Sequence, residues 1–216
     1  MPQVPDRIAD LAQAHALAVM GSVQRDQAVL PDGVQTLVLL GPHGPGFWET
    51  FTASPEYIDG TPDPMDRWSR RIIDVMAQQL GARAIYPFGV RPPHPFYSWA
   101  LATGRVWSSP VQFLVHDRAG LWASFRGALG FADMLDQPAR PAAPCTGCAQ
   151  PCTTACPVGA LTPQGYDVPA CHAFLDSADG QRCISGGCAV RAACPVSRAF
   201  GRHPDQSAFH MRQFHP

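Results

Sequence analysis

The spacing of hydrophobic positions changes along this chain, and each change marks an element. Between Asp6 and Met20, Ile8, Leu11 and Leu17 or Ala18 recur at roughly helical intervals, with Gly21 after them; the spacing predicts a helix. VQTLVLLG, residues 34–41, is an unbroken apolar run and predicts a buried strand. Asp63-Pro64-Met65-Asp66 predicts a helix start: a capping aspartate, proline at the first helical position, and acid near the positive end of the dipole. Met65, Trp68, Ile72, Val75, Met76 and Leu80 then share one side, and Gly81 ends the helix. ARAIYPFG, residues 82–89, predicts a second strand. VQFLVH, DRAG and LWASFRGALGF, starting at Val111, predict a β-hairpin that turns at Asp117–Gly120. The first part therefore reads as an α/β (α+β) domain, a sheet of four or five strands with helices packed on it.

That patterning stops at LDQPARPAAP, residues 135–144, a stiff proline-rich connector. The expected division is a domain over 1–136 and a smaller one over 137–216. The second part is rich in Cys, Gly and Pro and poor in long apolar runs. So short a stretch buries little apolar surface, and bound metal is the expected staple.

Composition narrows the function. The chain has 216 residues, 46% of them hydrophobic and 15% charged, so it should fold around a core. Its formal net charge of -1 gives no footing for a nucleic-acid partner. It has no lysine, which excludes a phosphate loop with its lysine and a lysine Schiff base. Neither a secretion signal nor a membrane span is visible, so a soluble, cytoplasmic protein with no membrane partner is expected. In a reducing compartment cysteines read as metal ligands rather than disulfides.

All eight cysteines follow residue 144. Cys145-x2-Cys148-x3-Cys152-x3-Cys156-Pro157 is close to the bacterial ferredoxin run, in which a tight turn presents successive thiolates to an iron–sulfur cubane. Its spacer between Cys148 and Cys152 is one residue longer. Cys183-x4-Cys188-x5-Cys194-Pro195-Val196 ends in the same Cys-Pro-Val corner as Cys156-Pro157-Val158. With Cys171, eight cysteines fill two four-thiolate sites. The expectation is two 4Fe-4S clusters with crossed ligation: Cys145, Cys148, Cys152 and Cys194 on one, Cys156, Cys171, Cys183 and Cys188 on the other. Two structural zinc sites are the alternative, although zinc knuckles usually come as paired C-x2-C and this chain has only one. His172, next to Cys171, is expected to be an exposed loop residue. His203, His210 and His215 lie in RHPDQSAFHMRQFHP, expected to be a surface or docking segment.

CTGCAQPCTTACPVGAL, with the later RCIS and ACPVS, resembles the cluster domain of the epoxyqueuosine reductases, which join a cobalamin-binding domain to two 4Fe-4S clusters. SPVQFLVHDRAGLWASFRGALGF, residues 109–131, is similar to a histidine-led segment of the cobalamin-processing methylmalonic aciduria type C family. The matching positions are His116, Arg118, Gly120, Trp122, Arg126 and Gly127. Both resemblances imply a nitroreductase-like fold for the first domain, a ferredoxin-like iron–sulfur domain after it, and a histidine against cobalamin. Read from the residues alone, His116 ends a strand beside a turn, and Trp122 and Arg126, four apart on a return strand, face one side. His116, Trp122 and Arg126 are the candidate cofactor contacts; core packing and turn capping explain the same residues. GPHGPGFWE, residues 41–49, departs from a dinucleotide fingerprint and reads as a loop. Tyr86, Phe88, Phe96, Tyr97 and Trp99 are candidates for an apolar lid.

The resemblances imply an iron–sulfur redox protein that takes electrons from a donor protein and passes them to a corrinoid, a cobalamin-linked reductase if it is an enzyme. The alternatives are a non-catalytic electron carrier for a protein partner and a reductase that holds flavin or another small-molecule ligand.

Overall fold

The structure, a computed structural model, describes residues 4–216. Met1–Gln3, the start of the N-terminal stretch read above, lie outside the described residues. The chain divides into two compact units. One takes the residues up to Val106 together with Ser124–Pro141; the other takes Trp107–Ala123 and Ala142–Pro216. The last crossing, after Pro141, falls inside the proline-rich connector. Residues 107–123 go with the cysteine-bearing part, unlike a single cut after residue 136, because Val111, Val115 and Leu121 bury their side chains with Cys152, Cys194, Leu161 and Val190.

The first unit is mixed α/β with an antiparallel sheet. Its elements are α1 (Val4–Ala14), β1 (Leu17–Gln24), β2 (Thr36–Pro42), α2 (Gly46–Thr52), α3 (Pro55–Ile58), α4 (Pro64–Leu80), β3 (Arg83–Ile85) and α5 (Phe96–Ala102). β6 (Gly127–Phe131) returns to complete the sheet, in the order β1-β2-β6-β3. Every residue of β2 and of β6 is buried, as a continuous apolar run requires at the centre of a covered sheet.

Several expectations need correction. The helix expected to Met20 stops at Ala14; Ala16 turns the chain at φ 55, and Leu17–Gln24 pairs antiparallel with β2. A bulge between Val19 and Gly21 disturbs the alternation that would have shown a strand. Asp63 precedes α4, but its side chain makes no capping hydrogen bond and its backbone is left-handed. Gly81 does end α4, at φ 65, a conformation that costs a side-chain-bearing residue. On α4, Met65, Trp68, Ile72 and Met76 are buried; Val75 is exposed, and Ile73 is buried instead. Of the segment expected to loop, residues 41–49, Gly41 and Pro42 finish β2 and residues 46–49 open α2, whose Phe47 and Phe51 pack edge-on against Trp68. Of the expected lid, Tyr86, Phe96 and Trp99 are buried and Tyr97 is exposed.

β4 (Val106–Ser108), which starts on the last residue before the first division, pairs with β5 (Leu114–His116), and in the second unit β7 (Leu161–Thr162) pairs with β8 (Gly165–Tyr166). Five helices follow: α6 (Val168–Leu175), α7 (Gln181–Gly186), α8 (Ala189–Ala193), α9 (Pro195–Phe200) and α10 (Pro204–Phe214). The histidine-containing tail is thus largely a helix, packed on α7 through a face that buries Gln206, Ser207 and Ala208. Among the described residues no helix is long and apolar enough to cross a membrane.

Candidate metal centres

The cysteines sit where the backbone turns. The Cys148 N–H donates to the Cys145 carbonyl at 3.3 Å, and Gln150, at φ 53, feeds a short 3-10 turn over Pro151–Thr153 that carries Cys152 inward. Cys171 lies on α6 and Cys183 on α7. Cys188 and Cys194 immediately precede α8 and α9, and Pro195 occupies the first position of α9, where its missing N–H costs nothing. Backbone N–H groups point at sulfur, among them Gln150 to Cys148 Sγ at 3.3 Å and Ala160 to Cys156 Sγ at 3.2 Å. Such donors favour the thiolate.

The eight thiols are unpaired by disulfides. Cys145, Cys148, Cys152 and Cys194 line one recess of about 390 Å³, counting its open mouth, with Val115 and Leu121 in its wall. Burial pushes the Cys145 and Cys152 thiols up, and their neighbours Cys148 and Cys194 add to it. Burial likewise raises Cys171 and Cys183. Cys188 and Cys156 act on Cys171, and Cys188 and Cys171 act on Cys183. Cys152, Cys183 and Cys194 are buried and the other five are half-buried; thiolates brought side by side repel one another unless a cation sits among them, and the chemistry of this donor set suits a thiophilic cation. Among the described residues no three Cys, His, Asp or Glu side chains close on one point as ligands of a single ion would.

The candidate cofactor contacts lie apart in the chain's organisation. His116 is 1% exposed. Its Nδ1 accepts from the Arg118 and Ala119 N–H groups, both at 3.1 Å, and its Nε2 lies 3.1 Å from Asp117 Oδ1. Nδ1 is therefore engaged in its own turn. That turn forms as expected, with a bridge between His116 and Gly120, but residues 121–126 are not a strand, so Trp122 and Arg126 share no strand face. Trp122 carries the Arg202 guanidinium over its ring at 4.8 Å. Arg126 belongs to the first unit, where it pairs with Asp66 and donates to Ser69 Oγ at 3.0 Å.

His172 is not a free loop residue. It lies on α6, its Nδ1 is 2.6 Å from His215 Nδ1, and His215 Nε2 is 2.9 Å from Asp176. Sequence reasoning missed three residues around the thiols. Tyr166 hydrogen-bonds Cys171, and burial followed by that bond raises its pKa. Ser197 accepts the Leu121 N–H at 2.8 Å, and Arg191 donates to the Leu121 carbonyl at 2.6 Å. The signal for Arg191 and Ser197 was their nearness in sequence to Cys188 and Cys194. No family model, curated protein or solved structure matches this chain.

Proposed function

We propose that the protein is an iron–sulfur electron-transfer protein whose second unit holds two 4Fe-4S clusters with crossed cysteine ligation. The observation that carries this reading is the grouping of the thiols. Cys194 lines one recess with Cys145, Cys148 and Cys152, and Cys156, the fourth cysteine of the ferredoxin-like run, is not in that lining. When bound, each cluster supplies a one-electron couple whose potential the surroundings set. The chain's part is to hold the thiolates, to direct the Gln150 and Ala160 N–H groups at sulfur, and to keep water from Cys152 and Cys194 with Val111, Val115 and Leu121. The acceptor, on the resemblance to epoxyqueuosine reductases, is a corrinoid bound by the α/β unit.

A second reading is a carrier that serves a protein partner and binds no corrinoid. It is favoured by His116, whose Nδ1 accepts two N–H groups of its own turn, and by Trp122, whose ring carries Arg202. One experiment separates the two. The visible spectrum of anaerobically purified protein should show a broad band that dithionite bleaches. Added hydroxocobalamin that stays through desalting with shifted bands supports the corrinoid; hydroxocobalamin that washes off unchanged supports the carrier. A colourless protein containing zinc refutes both.

A further inference from the structure

Cys194 lies far along the chain from the three cysteines whose recess it shares. It is the corner between two short helices, extended at φ -62 and ψ 126, with α8 before it and α9 after it. Side chains from both helices reach one residue, Leu121, in the wall of the same recess. Arg191, three residues before Cys194, donates to the Leu121 carbonyl at 2.6 Å, across 70 positions of sequence. Ser197, three residues after Cys194, accepts the Leu121 N–H at 2.8 Å, across 76 positions.

Leu121 stands outside any strand and is 1% exposed, so without these two side chains its backbone N–H and C=O would be unpaired in the interior. The surrounding contacts are equally close. The Arg191 guanidinium lies 4.4 Å from the centre of the Phe113 ring, and a Cβ on Gly120 would run into the Ser197 backbone. Val190, beside Arg191, packs in one apolar cluster with Leu121, Cys152 and Cys194. Hydrogen bonds are directional, so two of them on opposite polar groups of one residue fix both the distance and the rotation of the corner between their owners.

We infer that Arg191 and Ser197 are positioning residues for Cys194: they clamp the α8–α9 corner on Leu121 and so deliver the remote thiolate to Cys145, Cys148 and Cys152. This role rests on the reading of those four cysteines as the ligands of one cluster.

The test is anaerobic iron release from the full chain to a ferrous chelator, bathophenanthroline disulfonate, for the parent, Arg191→Met, Arg191→Lys, Ser197→Ala and Cys194→Ser. Electron paramagnetic resonance after dithionite identifies the cluster that remains. Iron and sulfide analysis of the parent comes first: if neither is present, the cluster reading falls and the clamp with it. Arg191→Met and Ser197→Ala should each release the iron of one cluster about tenfold faster, the effect of losing a single hydrogen bond, and leave the other at the parental rate. The residual spectrum should match that of Cys194→Ser. Arg191→Lys keeps a donor and should stay nearer the parent than Arg191→Met; the reverse order overturns the part given to Arg191. Parental release rates in both Arg191→Met and Ser197→Ala would overturn the clamp and leave the clusters standing. Equal acceleration of both clusters, which a general loosening of the unit produces, would overturn it too. If Arg191→Met does not fold, Ser197→Ala decides by the same comparison. Failure of both to fold would make the pair props of the whole unit and overturn their role toward Cys194.

Discussion

Gly120 ties the turn of His116 to the start of α9, and replacing it with alanine perturbs both. Its φ is +57, where a Cβ costs roughly 1–2 kcal/mol. That Cβ would also lie 2.4 Å from the Ser197 backbone nitrogen and 2.6 Å from Ser197 Oγ. Backbone cannot swing aside as a long side chain does, so α9 must shift, adding about 1–3 kcal/mol of overpacking. Ser197 is 1% exposed, and its Oγ holds the Leu121 N–H, so the shift also strains a buried hydrogen bond. The sum is roughly 2–5 kcal/mol. Gly201→Ala is the control: it has φ +67 in the same unit but nothing within 4 Å, so it should lose only about 1–2 kcal/mol. The assay is urea unfolding of both variants, with iron content measured on each folded protein. Because Cys194 sits directly before α9, Gly120→Ala should also lose iron. Equal stability of the two variants, with full iron in both, would refute the close approach of Gly120 to Ser197.

Two further outcomes concern the first unit. Asp66→Asn should destabilise by roughly 1–3 kcal/mol in urea unfolding, because it leaves the Arg126 guanidinium buried without its carboxylate; the loss stays below that of a fully buried pair because the Asp66 side chain is 37% exposed. A loss larger than that of Arg126→Met is expected, and the reverse order would contradict the pairing. Glu56 is buried against Arg71, and that hydrogen bond holds its pKa below the ordinary 4.5. A carboxylate with a lowered folded-state pKa stabilises above about pH 4.5 and loses that contribution as pH falls through the folded value. Glu56→Gln should therefore flatten the fall of the urea midpoint below pH 4.5 relative to the parent; an unchanged pH profile would count against the pair.

The cysteine spacings are a sequence property, and the structure brings four of those thiols, Cys145, Cys148, Cys152 and Cys194, to one recess although Cys194 lies far along the chain from the other three. Charges that reach the site through side-chain length leave no such trace: nothing in the spacing of Arg191 or Arg202 tells that their guanidiniums turn inward. In the α/β unit, VQTLVLLG read correctly because a strand covered on both faces has no polar alternation to lose. Leu17–Gln24 did not, since its bulge breaks the period of two and leaves apolar residues at near-helical intervals. The return arm of the hairpin failed for a different reason. LWASFRGALGF is apolar throughout, but residues 121–126 serve two units, Leu121 packing with the cysteines and Arg126 with α4. Periodicity along one chain does not show where that chain changes core.

The most direct test of the account counts iron and acid-labile sulfide per chain in the anaerobically purified parent protein, in Cys194→Ser and in Cys145→Ser. The account predicts about eight of each in the parent, a full complement for two cubanes, and about half that in either variant. Both variants should lose the same cluster and leave matching residual resonance spectra, because Cys194 and Cys145 belong to one ligand set. About four irons in the parent, zinc in place of iron, or loss of different clusters from the two variants would contradict the crossed two-cluster arrangement.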